Sequence, residues 1–217
     1  MFGLTMHIIN GTYPVKLRAL RKEDLPTLVE HFSSMKIHLF TKGLFAQTLE
    51  NETEWYEKRR KSEDDVAWCI VPLTNNGEDI PIGITSLHRL SARDNSSASG
   101  IIIWDSNWWG KGIASNCHLG RTLFAADYLN RWKINSSVRV ENVASRRALE
   151  KVGYTVWGTE PCSTRRSGKW LSTHHLLWLH PDMQPFLFPE GTPSLYEAGI
   201  ERAQLALEKA RNVVEFP

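Results

Sequence analysis

Between Ile101 and Ser115 the chain reads Ile-Ile-Ile-Trp-Asp-Ser-Asn-Trp-Trp-Gly-Lys-Gly-Ile-Ala-Ser: an apolar strand-like run, two glycines one residue apart, and at once a helical pattern. A buried strand here runs into a glycine loop and a helix begins immediately. Glycine reaches positive φ freely and lets backbone N–H groups approach a ligand with no Cβ in the way. The unpaired N–H groups of a helix's first turn, with the positive end of its dipole, then make an anion site, and pyrophosphate suits that geometry. Gly110 and Gly112 read equally well as a tight strand-to-helix turn and nothing more.

The pattern on either side sets the architecture. Val15–Ala19 alternates like a short strand, and Asp24 is the expected N-cap of a helix running to about Phe32 with Pro26 in its first turn. A second helix is expected over Leu49–Lys61, acidic early and basic late as the helix dipole favours. Asp65–Pro72 and Ile80–Leu90 read as a hairpin joined by the turn Thr74-Asn-Asn-Gly77, and Ala98–Asp105 as a third strand. Helical spacing over Ile113–Trp132 leads to a strand at Ile134–Val140 and a short helix at Ala144–Val152 that Gly153 ends. Strands near Thr155–Glu160 and Leu171–Leu179 follow, joined by the Arg-rich turn Ser163–Gly168. The order βαα, β-meander, αβαββ predicts an α/β sandwich with a mixed sheet.

The tail differs. Pro181–Pro189 carries three prolines and reads as a connector. Thr192-Pro193 then starts a helix to about Val214 with an apolar stripe of Ile200, Ala203, Leu207, Ala210 and Val214. Residues 181–217 hold six acids and three bases, so the tail is −3 and the preceding part +5. A stripe of this kind is expected to dock, and a homodimer is put slightly ahead of docking on the same chain. The organisation is thus one domain over 1–180, with a connector and amphipathic helix over 181–217.

Composition excludes several classes. With 41% apolar residues and 9 Trp the chain has ample core, which excludes disorder and disulfide-stapled mini-folds. A net charge of +2 argues against duplex nucleic acid as the partner. Cys69, Cys117 and Cys162 are far apart in sequence and odd in number, so no metal site is expected and a reducing, cytoplasmic setting is. Met1–Ile9 lacks the features of a signal peptide and no run is long enough to span a membrane, so no membrane association is expected.

A dinucleotide fingerprint would need a third glycine where Ser115 stands and an acid closing the next strand, and a Walker loop is absent. Trp109-Gly-Lys-Gly112-Ile-Ala114 instead resembles motif A of the GNAT acetyltransferases, Q/R-x-x-G-x-G/A, with Trp109 in the Gln/Arg position. Trp-Gly-Lys-Gly is similar to the branch holding ribosomal-protein N-terminal acetyltransferases and spermidine acetyltransferases. Asn142–Tyr154 resembles that branch's N-x-x-S…A-L-E-K-x-G-F segment, and Leu17–Asp24 its opening strand and helix. The likeness spans about Val15–Leu179.

The resemblance implies a three-layer GNAT fold, with a mixed, mostly antiparallel sheet flanked by helices, and acetyl-CoA as co-substrate with no metal. An acceptor amine, either a peptide N-terminus or a small molecule, would attack the thioester directly in a ternary complex. Pantetheine would lie along Ile102, Ile103 and Trp104, where a backbone N–H polarises the thioester carbonyl. The pyrophosphate would sit on the N–H groups of Trp109, Gly110, Lys111, Gly112, Ile113 and Ala114. Asn142 would orient the pantetheine, and Arg146, Arg147 and Lys151 are candidates for the 3′-phosphate or a solvated basic face.

For the acid, many relatives use a Tyr seven residues past the motif Asn, where this chain has Leu149; Ser145 matches the serine of N-x-x-S and is the catalytic candidate. The Glu that many relatives carry on the motif A strand is Ser99 here. His88, Glu160, His174 and His175 are the remaining candidates for removing the amine's proton. Trp104, Trp108 and Trp109 read as core packing or as walls of an acceptor pocket. The competing class is a GNAT-fold module that binds acyl-CoA or a protein partner without turnover.

Overall fold

The run Val66–Pro72 is buried at all seven positions, because Trp68 and Ile70 face one helical layer while Cys69 faces the other. A strand buried on both faces lies in the middle of a three-layer fold. In the computed structural model, which describes residues 1–38, 45–74 and 77–217, this run is β3 of a nine-stranded sheet. The others are β1 (Met6–Ile8), β2 (Val15–Arg18), β4 (Gly83–Ser91), β5 (Ser96–Ile103), β6 (Lys133–Arg139), β7 (Thr155–Arg166), β8 (Lys169–Leu179) and β9 (Val214–Glu215). Their order is β7-β8-β6-β5-β4-β3-β2-β1-β9. β5 and β6 are parallel, and every other neighbouring pair is antiparallel. This is the expected mixed, mostly antiparallel sheet.

One layer holds α1 (Leu25–Phe32), α2 (Met35–His38) and α3 (Leu49–Lys61), packing Leu25, Leu28, Ile37 and Trp55 against Cys69, Ile84, Ile102 and Trp104. The opposite layer holds α4 (Ile113–Leu123), α5 (Val143–Glu150) and α7 (Ser194–Val213) over the larger core around Trp68, Leu87, Ile134 and Trp178. The short α6 (Gln184–Leu187) lies in the connector. No helix among the described residues is long and apolar enough to cross a membrane.

Four sequence expectations change. The helix expected over Ile113–Trp132 is regular only to Leu123; Phe124–Tyr128 forms a wider turn in which the Leu129 N–H reaches back to Phe124 O. Asp24 stands at the N-cap of α1 as expected, but its side chain makes no capping hydrogen bond. Its carboxylate instead holds the buried Arg18 guanidinium through two contacts of 2.8 Å and accepts the Arg21 N–H. The C-terminal helix begins at Ser194 with Pro193 in the capping position. Two strands escaped the sequence reading: β1, and β9, which pairs antiparallel with β1. Residues 75 and 76 of the expected turn lie outside the described residues.

The tail docks on its own chain. Ile200, Ala203, Leu207 and Ala210 are buried, and a Cβ placed on Gly153 would meet Ala203 Cβ at 2.5 Å, so the backbone at the end of α5 touches α7. Arg211 completes the dock with two contacts to Asp127, at 2.9 and 3.0 Å. The stripe therefore needs no second copy to cover it, contrary to the preference for docking within a homodimer.

Candidate active site

β5 and β6 pair only over Ser96–Ala98 and Lys133–Asn135, and beyond this point the two parallel strands separate. Ser99 and Ser136 make the last links across: Ser99 Oγ donates to Asn135 O, and Ser136 Oγ to Ser99 O, both at 3.4 Å. Gly100–Ile103 and Ser136–Arg139 then form the two sides of an open wedge. Strand alternation sets which groups face it. The Trp104 N–H donates to Ile82 O on the β4 side, so the polar groups of Ile101 and Ile103 point into the wedge and those of Ile102 point to β4. Of Ile102, Ile103 and Trp104, only Ile103 therefore presents a backbone N–H to the wedge. Ile101, absent from the sequence candidates, does so as well.

β5 leads through a short 3-10 turn, Ser106–Trp108, to the glycines. Gly110 and Gly112 have φ of 75° and 81°, and a Cβ on either would meet nothing within 4 Å. Gly112 holds the N-cap position of α4 but has no side chain and leaves it uncapped, and the first helical N–H to find a partner is that of Asn116, on Gly112 O. The N–H groups of Ile113, Ala114 and Ser115 are thus left for a ligand. The Trp109 N–H is occupied by Ser106 O, and its indole Nε1 donates to Ile103 O at 2.9 Å. Lys111 folds back over the rings of Trp108 and Tyr13, at 4.8 and 5.1 Å.

A groove of about 610 Å³ runs from this turn between the loop Asn10–Tyr13, Lys151 and α7. Its charged lining is Lys111, Lys151, Arg202 and Lys209, with no acid. Two of these come from the tail, which the sequence reading kept apart from the site. Arg147 is exposed and outside the groove, and Arg146 is paired with Glu150 at 3.2 Å.

Asn142 caps α5, its Oδ1 accepting the Ser145 N–H at 3.1 Å, while its own N–H donates to Arg139 O at the end of β6. That places the half-buried Ser145 beside the wedge mouth. Ser99 points into the covered layer, its Oγ 3.1 Å from the hydroxyl of the fully buried Tyr154. Arg121, also fully buried, donates from Nη1 to Gly100 O and Thr85 Oγ1, each at 2.9 Å, and so ties α4 to β4 and β5 just below the wedge.

His88 lies on the opposite face of the sheet. Its Cε1 is 3.7 Å from where a Gly100 Cβ would stand, so the ring lies over β5 where the wedge opens. Burial, then the charges of Arg89, Arg59 and Arg121, push its pKa below 6.5, which leaves the ring neutral at pH 7. Strand register puts Ser137 and His175 on the same face. Glu160 joins them, its Oε2 3.2 Å from His175 Nε2, while His174 bonds Thr159 on the other face. Trp104 is core, stacked on His31 at 5.8 Å, whereas Trp109 is 42% exposed.

A strand that turns on two glycines into a helix is the arrangement read from Ile101–Ser115; the split from its parallel neighbour is added by the structure. The family model of the acetyltransferase (GNAT) domain matches residues 15–155. The chain belongs to the GNAT acetyltransferase family. Among solved structures, this GNAT chain is similar to a spermidine N-acetyltransferase from Vibrio cholerae in complex with CoA and spermine, with TM-score 0.68 and 22% identity over 76% of this chain and 95% of that one. It is also similar to Mycobacterium smegmatis RimJ in complex with CoA-disulfide, with TM-score 0.68 and 17% identity over 98% of this chain and 95% of that one. At such identities the likeness carries the fold; the second match takes in the tail as well. No curated protein matches the sequence. Among the described residues no group of three or more His, Cys, Asp or Glu could hold a metal ion.

Proposed function

We propose that this chain is an acetyl-CoA-dependent N-acetyltransferase that transfers an acetyl group to a primary amine, a peptide N-terminus or a small molecule, within a ternary complex. The observation that carries this is the continuity of β5: its wedge-facing groups at Ile101 and Ile103 lead straight to the glycine turn and the uncapped start of α4. One strand thus aligns a site for an extended amide-bearing chain with a site for a pyrophosphate. The all-basic groove beyond the turn suits the 3′-phosphate end of the same molecule, held by Lys151 and by Arg202 and Lys209 of the tail.

Acetyl-CoA supplies the activated acyl group as a thioester. The Ile103 N–H, aimed into the wedge, donates to the carbonyl oxygen as it gains charge, an effect of about 2.7–4 kcal/mol for one such donor elsewhere. Asn142 fixes the start of α5, and through it Ser145, whose hydroxyl donates a proton to the departing sulfur. His88, neutral and over Gly100, takes the proton from the attacking amine on the opposite face.

Calorimetry with acetyl-CoA tests the assignment. Gly112→Asp places a carboxylate in the open space before α4 and should abolish binding while the fold, checked by melting, survives. Unchanged affinity in folded Gly112→Asp protein removes the pyrophosphate site, and with it this reading.

A further inference from the structure

Arg139, the last residue of β6, is 7% exposed. Its Nη1 donates to Thr173 Oγ1 at 2.8 Å and Ser163 Oγ at 3.1 Å, hydroxyls of β8 and β7. Among the described residues the rest of its fork makes no hydrogen bond and no carboxylate pairs with it. Arg18, 3% exposed, takes both oxygens of Asp24, while Arg121 meets only neutral oxygens but is sealed at 0% exposure with no room for a ligand. Arg139 shares the neutral partners of Arg121, yet its unpaired N–H groups still reach solvent. A guanidinium withdrawn from water without a counter-charge is unfavourable, and two neutral hydroxyls orient it without neutralising it.

The position of Arg139 connects it to the reaction. Asn135, Ser137 and Arg139 share one face of β6 by alternation, and the register through Ala98 puts His88 on that face too. Arg139 stands two residues, about 7 Å, along β6 from Ser137. Its carbonyl accepts the Asn142 N–H, so it lies directly beneath the start of α5 that carries Ser145. The other charged groups bearing on His88 and this face are Arg89, Arg59 and, from beneath the sheet, Arg121, against Asp65, which is 3.5 Å from Arg59, and Glu160, which is bonded to His175.

We infer that Arg139 is a specificity-determining residue that receives a carboxylate of the acceptor, so that the amine substrate is anionic, an amino acid or a peptide with an acidic side chain near its amino terminus, and not a polyamine. This deepens the acetyltransferase reading and rests on it. The planar fork binds a carboxylate with two parallel hydrogen bonds, whereas a polycation would meet an unneutralised positive charge where it must lie.

Acceptor pairs that differ in one charge test this. With acetyl-CoA saturating, kcat/KM is compared for pentapeptides beginning Glu and Gln, for free amino acids and their amides, and for spermidine. The carboxylate-bearing member should be favoured by about 10–100-fold, as a hydrogen bond to a charged group implies. The peptide arm and the amino-acid arm show which source of carboxylate is used. Arg139→Gln should erase the preference through KM for the acceptor, and Arg139→Lys should restore part of it. Equal kcat/KM within both pairs, or a preference for spermidine, overturns the inference, and the wild-type comparison decides it even where Arg139→Gln fails to fold. Acetyl-CoA affinity measured on the same samples separates the two failures: if it is intact, only the Arg139 inference falls; if it is absent, the acetyltransferase reading falls with it.

Discussion

The indole of Trp109 donates a 2.9 Å hydrogen bond to the carbonyl of Ile103, so a side chain from the glycine turn occupies the strand edge it overhangs. Ile103 also turns its N–H into the wedge, as Ile101 does. An extended chain that pairs with this edge competes with the Trp109 indole for the Ile103 carbonyl.

Trp109→Phe should therefore tighten acetyl-CoA by about 2–10-fold, the worth of one neutral hydrogen bond no longer broken on binding. Titration by calorimetry checks it, and the fluorescence change on binding should shrink in the variant because Trp109 is the indole that moves. An unchanged affinity, with the same fluorescence response, would show that this bond persists in the complex.

Truncation after Pro181 removes α7 and β9, and with them the buried Ile200 and Leu207. Those two side chains alone represent roughly 3–6 kcal/mol of burial. The melting temperature should fall by about 10 °C or more. Acetyl-CoA affinity should fall as well, through loss of Arg202 and Lys209 from the groove. A milder variant, Lys209→Glu, keeps the fold and should weaken CoA more than dephospho-CoA.

How far the sequence carries depends on the length scale of each signal. Seven strands and the helices around motif A repeat their apolar residues often enough to be read. β1 and β9 span three and two residues, too short for a period to show; β1 is held by β2 on one side, and β9 exists by pairing with β1 on the other. The glycine turn was legible because φ near 80° has few alternatives to glycine. The phase of β5 was not: that Ile101 and Ile103, and not Ile102, face the wedge follows from the register with β4. Arg139, Arg121 and the groove residues of α7 depend on contacts between distant segments, and nothing local marks them.

Acid should destabilise the fold before carboxylates titrate. Burial holds the pKa of His118 well below 6.5, helped by the charge of Arg121, and burial lowers those of His88 and His180 as well. On unfolding all three return to about 6.5 and bind protons more readily. Their contribution is thus complete above about pH 6.5 and is lost as pH falls toward the lowered values. Melting temperature should be flat from pH 8 to 7, fall between pH 6.5 and 5, and fall less in His118→Leu. A melting temperature constant down to pH 5 would mean these rings are not buried neutral.

The most direct measurement is thiol release from acetyl-CoA, followed with a chromogenic disulfide, with and without an amine acceptor. An acceptor panel of peptides and small amines should reveal thiol release that requires both the protein and the amine. Ser145→Ala should lower kcat by about 10–100-fold with little change in KM for acetyl-CoA, because the hydroxyl acts as the sulfur departs. Tight acetyl-CoA binding with no acceptor-dependent thiol release across the panel would contradict the account and leave a binding module.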